Sequence, residues 1–83
     1  MTKGELELKI VSLKEVVYHD FVDSVTLPTT SGEITVLPNH AGLISELKSG
    51  TIYARTGGTE QAFPIVGGFL EVAQNSRLSV LVS

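Results

Sequence analysis

Cysteine and tryptophan are both missing from this chain of 83 residues. Without cysteine, neither a disulfide nor a thiolate zinc site can hold a small domain together, which leaves side-chain packing or a partner protein. Basic residues are sparse: six Lys and Arg, scattered singly, stand against nine Asp and Glu, for a net charge of -3. That balance offers no basic stripe to neutralise phosphates, so no nucleic acid is expected as a partner, and a negative surface repels anionic lipid. Long apolar runs are absent too, and the amino-terminal "MTKGELELK" is charged from its start. Neither a signal peptide nor direct membrane insertion is expected. The last absence is of helical periodicity, since no segment keeps apolar residues at three-to-four spacing for long.

What is present is alternation. Hydrophobic residues make up 42 % of the chain, Val, Leu and Ile foremost, and nearly all follow a period of two. The length predicts one domain, residues 1–83, with a thin core. In "ELELKIVS", Leu6, Leu8 and Ile10 share one face while Glu5, Glu7 and Lys9 share the other, as a half-buried strand requires. "FVDSVTL" is read with Phe21, Val25 and Leu27 together and Asp23 as an unexplained exception. The same rule pairs Ile34 with Val36, Leu43 with Leu47, Ile52 with Ala54, Phe63 with Ile65 and Leu70 with Val72, and groups Leu78, Val80 and Val82. Turn signals at roughly eight-to-twelve-residue spacing point to an all-β antiparallel sandwich or barrel.

One hairpin can be registered outright. In "YARTGGTEQAF", Gly57-Gly58 suits a primed two-residue turn, which sets Thr56 opposite Thr59, Arg55 opposite Glu60 and Ile52 opposite Phe63. Apolar and oppositely charged pairs then fall on separate faces, which a one-residue slip would destroy. Pro64 lacks a ladder donor and marks an edge strand or a bulge.

Signals for chemistry are weak. Gly67-Gly68 precedes "FLEV" without the Gly-Lys-Ser/Thr continuation of a phosphate loop, so close backbone approach at a turn or bulge is the better reading. His19-Asp20 invites comparison with a metal site, but adjacent strand residues point to opposite faces and His40 is the only other imidazole. The serines lack a nucleophile elbow. No catalysis, cofactor or metal is expected. His40, directly after the turn signal Pro38-Asn39, remains open between a solvated loop residue and a contact residue.

"SVTLPTTSGEITVLPNHAGLISELKSG", then "GGFLEV" and "RLSVLV", together resemble the N-terminal domain of the epsilon subunit of F-type ATP synthases, called delta in mitochondria, from about Leu8 to Val82. The resemblance implies a flattened β-sandwich of about ten strands. It also implies a noncatalytic central-stalk subunit, docked on the gamma subunit and the ring of membrane c subunits, coupling ion-driven rotation to ATP synthesis. The place implied is the cytoplasmic face of a bacterial inner membrane, or its organellar equivalent. Partner-binding residues follow from the same resemblance: Gly32 and Glu33, with Asn39 and His40, on loops at one end of the sandwich, and Ser12, Ser45 and Tyr53 at outward positions. Gly42 and Lys48-Ser49-Gly50 depart from the usual proline-containing turns, and the family's C-terminal helical hairpin, with its nucleotide site, does not appear before Ser83. Ile44 and Leu81 are apolar on the face that alternation assigns to solvent, as a partner-covered sheet requires. The alternative is a free-standing ligand- or carbohydrate-binding module, disfavoured by two Tyr, three Phe and no Trp, with most of the Phe expected in the core.

Overall fold

The computed structural model describes residues 4–83. Residues 1–3 of the expected domain lie outside that range. Nine strands make up the described chain: β1 (Leu6–Val11), β2 (Val16–Val22), β3 (Ser24–Thr29), β4 (Gly32–Val36), β5 (Leu43–Leu47), β6 (Gly50–Thr56), β7 (Thr59–Ile65), β8 (Gly68–Ala73) and β9 (Arg77–Val82). Nine stand where about ten were expected, and no helix occurs among the described residues.

The strands form one curled sheet in the order β2-β1-β9-β8-β5-β3-β6-β7, with β4 on β3. All neighbours are antiparallel except β1 and β9. Curling folds the sheet into two layers, β2-β1-β9-β8-β5 and β4-β3-β6-β7. The joint between them is narrow, since β3 meets β5 only at Thr29 and Leu47. On the far side the Tyr18 and Phe63 rings, 5.0 Å apart, bring β2 against β7. An all-β sandwich results, as the alternation predicts.

Between the layers lie Leu6, Leu8, Ile10, Val22, Val25, Leu27, Val36, Leu47, Ile52, Ala54, Leu70, Val72, Leu78 and Val80, all buried. Burying each large aliphatic stabilises the fold by roughly 1.5–3 kcal/mol. The predicted inward positions agree with this core, with one exception in β2. Phe21 points outward and Val22 inward, because alternation changes phase at Asp23, between β2 and β3. There the Asp23 N–H donates to the Arg55 carbonyl at 2.7 Å, and its Oδ2 accepts from the Gly57 N–H at 2.8 Å. The exception in the sequence is thus a clamp on the β6–β7 turn.

That hairpin has the predicted register throughout, Ile52 on Phe63, Arg55 on Glu60 and Thr56 on Thr59. Gly57 and Gly58 have φ of 56° and 84°, the two positive values of a type I′ turn. Pro64 sits on β7, an edge strand, where a missing donor costs no ladder bond. Gly68 has φ of 151°, and a Cβ there would collide with the Leu81 carbonyl oxygen, so of the two glycines it is Gly68 that serves close strand approach.

Candidate functional site

Strands β1, β9, β8 and β5 turn their inner side chains to the core, so alternation hands the intervening residues to the outer face. Register then builds a row: Val11 lies beside Leu81, and Leu81 beside Phe69. Ile44 stands diagonal to Phe69, two residues along β5 from its partner Glu46. Ile44, Phe69 and Leu81 are 73 %, 54 % and 43 % exposed, and with Val11 they line one shallow groove. Leu13, in the β1–β2 turn, extends the apolar surface past Phe69 and Leu81. Soluble surfaces scatter single apolar residues, but a contiguous apolar patch marks an interaction site.

The next row, Lys9-Ser79-Glu71, is polar. Beyond it Glu7 pairs in register with both Phe21 and Arg77. Its carboxylate lies 2.8 Å from His19 Nε2 and 3.4 Å from Arg77 Nε. The His19 hydrogen bond, aided by the Arg77 charge and opposed by partial desolvation, holds the Glu7 carboxyl below its ordinary value of 4.5. His19 is therefore engaged with Glu7, and among the described residues no group of three His, Cys, Asp or Glu could hold a metal ion. The outer face grades from apolar at the Val11 end to charged at the Glu7 end.

The candidate partner residues do not converge on one tip. Gly32 and Glu33 begin β4 and Asn39 and His40 follow its end, so the two loops lie at opposite ends of a five-residue strand. At about 3.3 Å per residue the separation exceeds 10 Å. Ser12 closes the β1–β2 turn, accepting from the Lys14 and Glu15 N–H groups at 3.2 Å each. Its turn lies at the Leu81 end of β9, the end at which Gly68 joins Leu47, and Leu47 pairs with Thr29 next to the Gly32 turn. Ser12, Gly32 and Glu33 thus share one end. Asn39 and His40 lie at the other, tied to the β8–β9 turn. Ser45, expected outward, faces inward with Leu43 and Leu47 and pairs with Leu70. Tyr53 is outward and half-buried, between Thr26 and Ala62.

His40 belongs to a tight turn: its N–H donates to the Leu37 carbonyl at 3.2 Å, with Pro38 and then Asn39, at φ 65°, between them. Proline followed by a positive φ is the signature of type II. The His40 Nδ1 lies 2.7 Å from the Ala41 carbonyl. A carbonyl only accepts, so Nδ1 carries the proton.

The expectation that most Phe side chains serve the core is also corrected. Only Phe63 packs against it, while Phe21 and Phe69 are exposed. These two stand on β2 and β8, with β1 and β9 between them, and form no stacking platform.

The described residues thus form an all-β sandwich domain that carries an exposed apolar outer face bordered by charged residues. Residues 5–83 match the family described as "ATP synthase, Delta/Epsilon chain, beta-sandwich domain", and the chain belongs to it. Among curated relatives, the ATP synthase epsilon chain of Prochloron didemni is 37 % identical over 78 residues, which cover 94 % of this chain and 57 % of that one. That of Desulforamulus reducens is 42 % identical over 74 residues, covering 89 % and 55 %. The chain thus spans a little over half the length of these relatives. In fold it is similar to a chain of the Euglena gracilis mitochondrial ATP synthase, solved as OSCP/F1/c-ring, with a TM-score of 0.89 at 23 % identity, over 95 % of this chain and 51 % of that one. A chain of the Tetrahymena thermophila mitochondrial ATP synthase, solved as central stalk/c-ring, gives 0.80 at 14 %, over 99 % and 66 %.

Proposed function

We propose that this chain is the sandwich portion of an epsilon-type subunit of the ATP synthase central stalk. It is noncatalytic, docks on the gamma subunit and the c ring at the membrane's cytoplasmic face, and couples ion-driven rotation to ATP synthesis. Family membership and the stalk and ring assemblies of its structural neighbours support this reading. The observation that carries it is the row Val11-Leu81-Phe69 with Ile44, apolar side chains that the fold itself leaves uncovered. Water-exposed aliphatics gain free energy when a partner covers them, and an aromatic at the centre of such a patch dominates the binding.

The loops add two separate contacts. Gly32, Glu33 and Ser12 serve one end of the sandwich, and Asn39 and His40 the other; Ser45 supports the sheet from within. Sites this far apart act independently, so the losses of binding from Glu33→Ala and His40→Ala should add. The principal test is Phe69→Asp, read by thermal melting and by titration against gamma. Melting near the wild-type temperature with at least tenfold weaker binding, the loss of about 1.4 kcal/mol or more, is expected. Wild-type affinity in that variant would remove the apolar row from the interface and the proposal with it.

A further inference from the structure

Among the described residues Ser76 is one of three buried polar ones, and it stands where three elements meet. Its carbonyl accepts from the Glu7 N–H at 2.8 Å, which ties the β8–β9 turn to the start of β1. Its hydroxyl reaches the β4–β5 loop, where it accepts from the Asn39 N–H at 2.7 Å and donates to the Asn39 Oδ1 at 3.2 Å. One donor and one of two lone pairs are thereby used on a single partner residue.

The Asn39 N–H belongs to the central peptide of the Leu37–His40 turn. In a type II turn that peptide is flipped relative to type I, and the flip requires a positive φ at the third residue, here 65° at Asn39. A partner for the flipped N–H therefore selects between the two turns. Ser76 supplies it from a strained backbone of its own, at φ 56°, directly after Asn75 at 68°. Non-glycine residues persist in that region when their surroundings over-determine them, and such strain collects at functional positions. Glycine at position 76 would relieve the strain but abolish both hydrogen bonds.

We infer that Ser76 is a positioning residue for the docking loop: its hydroxyl fixes the Pro38-Asn39 peptide and thereby sets the place of His40, the residue that closes the turn. The inference rests on the docking reading of that loop. It assigns Ser76 no contact with a partner; the serine acts through Asn39.

The test is amide hydrogen exchange by NMR, with titration against gamma, on wild type, Ser76→Gly and Ser76→Asn. Glycine accepts the positive φ, so Ser76→Gly should fold normally, and asparagine tolerates that φ while offering both a donor and an acceptor. In wild type the Asn39 amide should be protected. In Ser76→Gly it should exchange about tenfold faster or more, with the Leu70 and Val80 amides unchanged, as loss of one local hydrogen bond without global unfolding requires. Affinity for gamma should fall severalfold, and Ser76→Asn should restore both readouts. An unprotected Asn39 amide in wild type, or unchanged exchange in Ser76→Gly, overturns the inference whatever gamma does. A loosened loop that binds with wild-type affinity overturns the role of Ser76 in docking. Wild-type chain that fails to bind gamma at all sinks the docking proposal instead, and the Asn39 exchange rates still report on the clamp.

Discussion

Phe69 and Leu70 are neighbours on β8, yet one is 54 % exposed and the other 1 %. Both side chains are large and apolar, and both stand on an inner strand of the five-strand layer. Their difference is the face alone: Leu70 meets Val80 and Ser45 in register and points into the core, whereas Phe69 lies between Leu81 and Glu46 on the outside. Inner apolar residues hold the two layers together. Outer ones contribute little to that, so hydrophobicity alone does not say which residues stabilise the fold.

The sharpest way to break this comparison is to truncate both neighbours and measure each by urea denaturation. Leu70→Ala removes a fully buried side chain and should cost about 3 kcal/mol, within the range for core leucines. Phe69→Ala should change stability by no more than about 0.5 kcal/mol, although it deletes more carbon. Equal costs would mean that the outer face is already packed against something within the chain.

Phe63 lies between these extremes. It is half-buried on an edge strand, pairs with Ile52 and stacks at a tilt on Tyr18, where β2 and β7 close the sandwich. Phe63→Ala should therefore cost about 2 kcal/mol, below the 3–5 kcal/mol of a fully buried phenylalanine. Tyr18→Ala should show a similar loss, and the double mutant less than the sum, because both singles remove the same ring contact. Strict additivity in such a cycle would mean that the two layers close without this ring pair.

How far the sequence exposed these features depends on the range of the interactions behind them. The β6–β7 register was readable because its turn chemistry, charges and apolar pairs lie within a dozen residues of one another. The phase change at Asp23 was not, since its cause is a hydrogen bond to Gly57 in another strand pair. Ser45 was misassigned although the alternation of "LISELK" already turned it inward with Leu43 and Leu47. Likewise "EITV" is a strand, and a strand puts the loops at its two ends apart, a local signal that the shared end expected for Glu33 and His40 passes over. The outer apolar row was half visible, as Ile44 and Leu81, but its continuity through Phe69 to Val11 depends on the parallel β1–β9 pairing of chain segments far apart in sequence. The Ser76 clamp on Asn39 left no sequence signal, being a contact between two turns.

The smallest expected effect sharpens the contrast within the outer face itself, between its apolar end and the charged end at Glu7. A carboxyl whose folded value is lowered stabilises the fold while it is ionised, and that contribution is lost as pH falls through the folded value. The Glu7 contribution should thus be fully present above 4.5 and fade below it. Because the site is exposed, the change is small, and it is best read at the residue itself. By NMR, Glu7 should titrate below 4.5 in wild type. In His19→Ala, which removes the largest cause of the shift, its midpoint should move upward. Phe69→Asp, two strands away at the apolar end, should leave that midpoint nearly unchanged. A Glu7 midpoint indifferent to His19 would leave Arg77 as the group that organises the charged end.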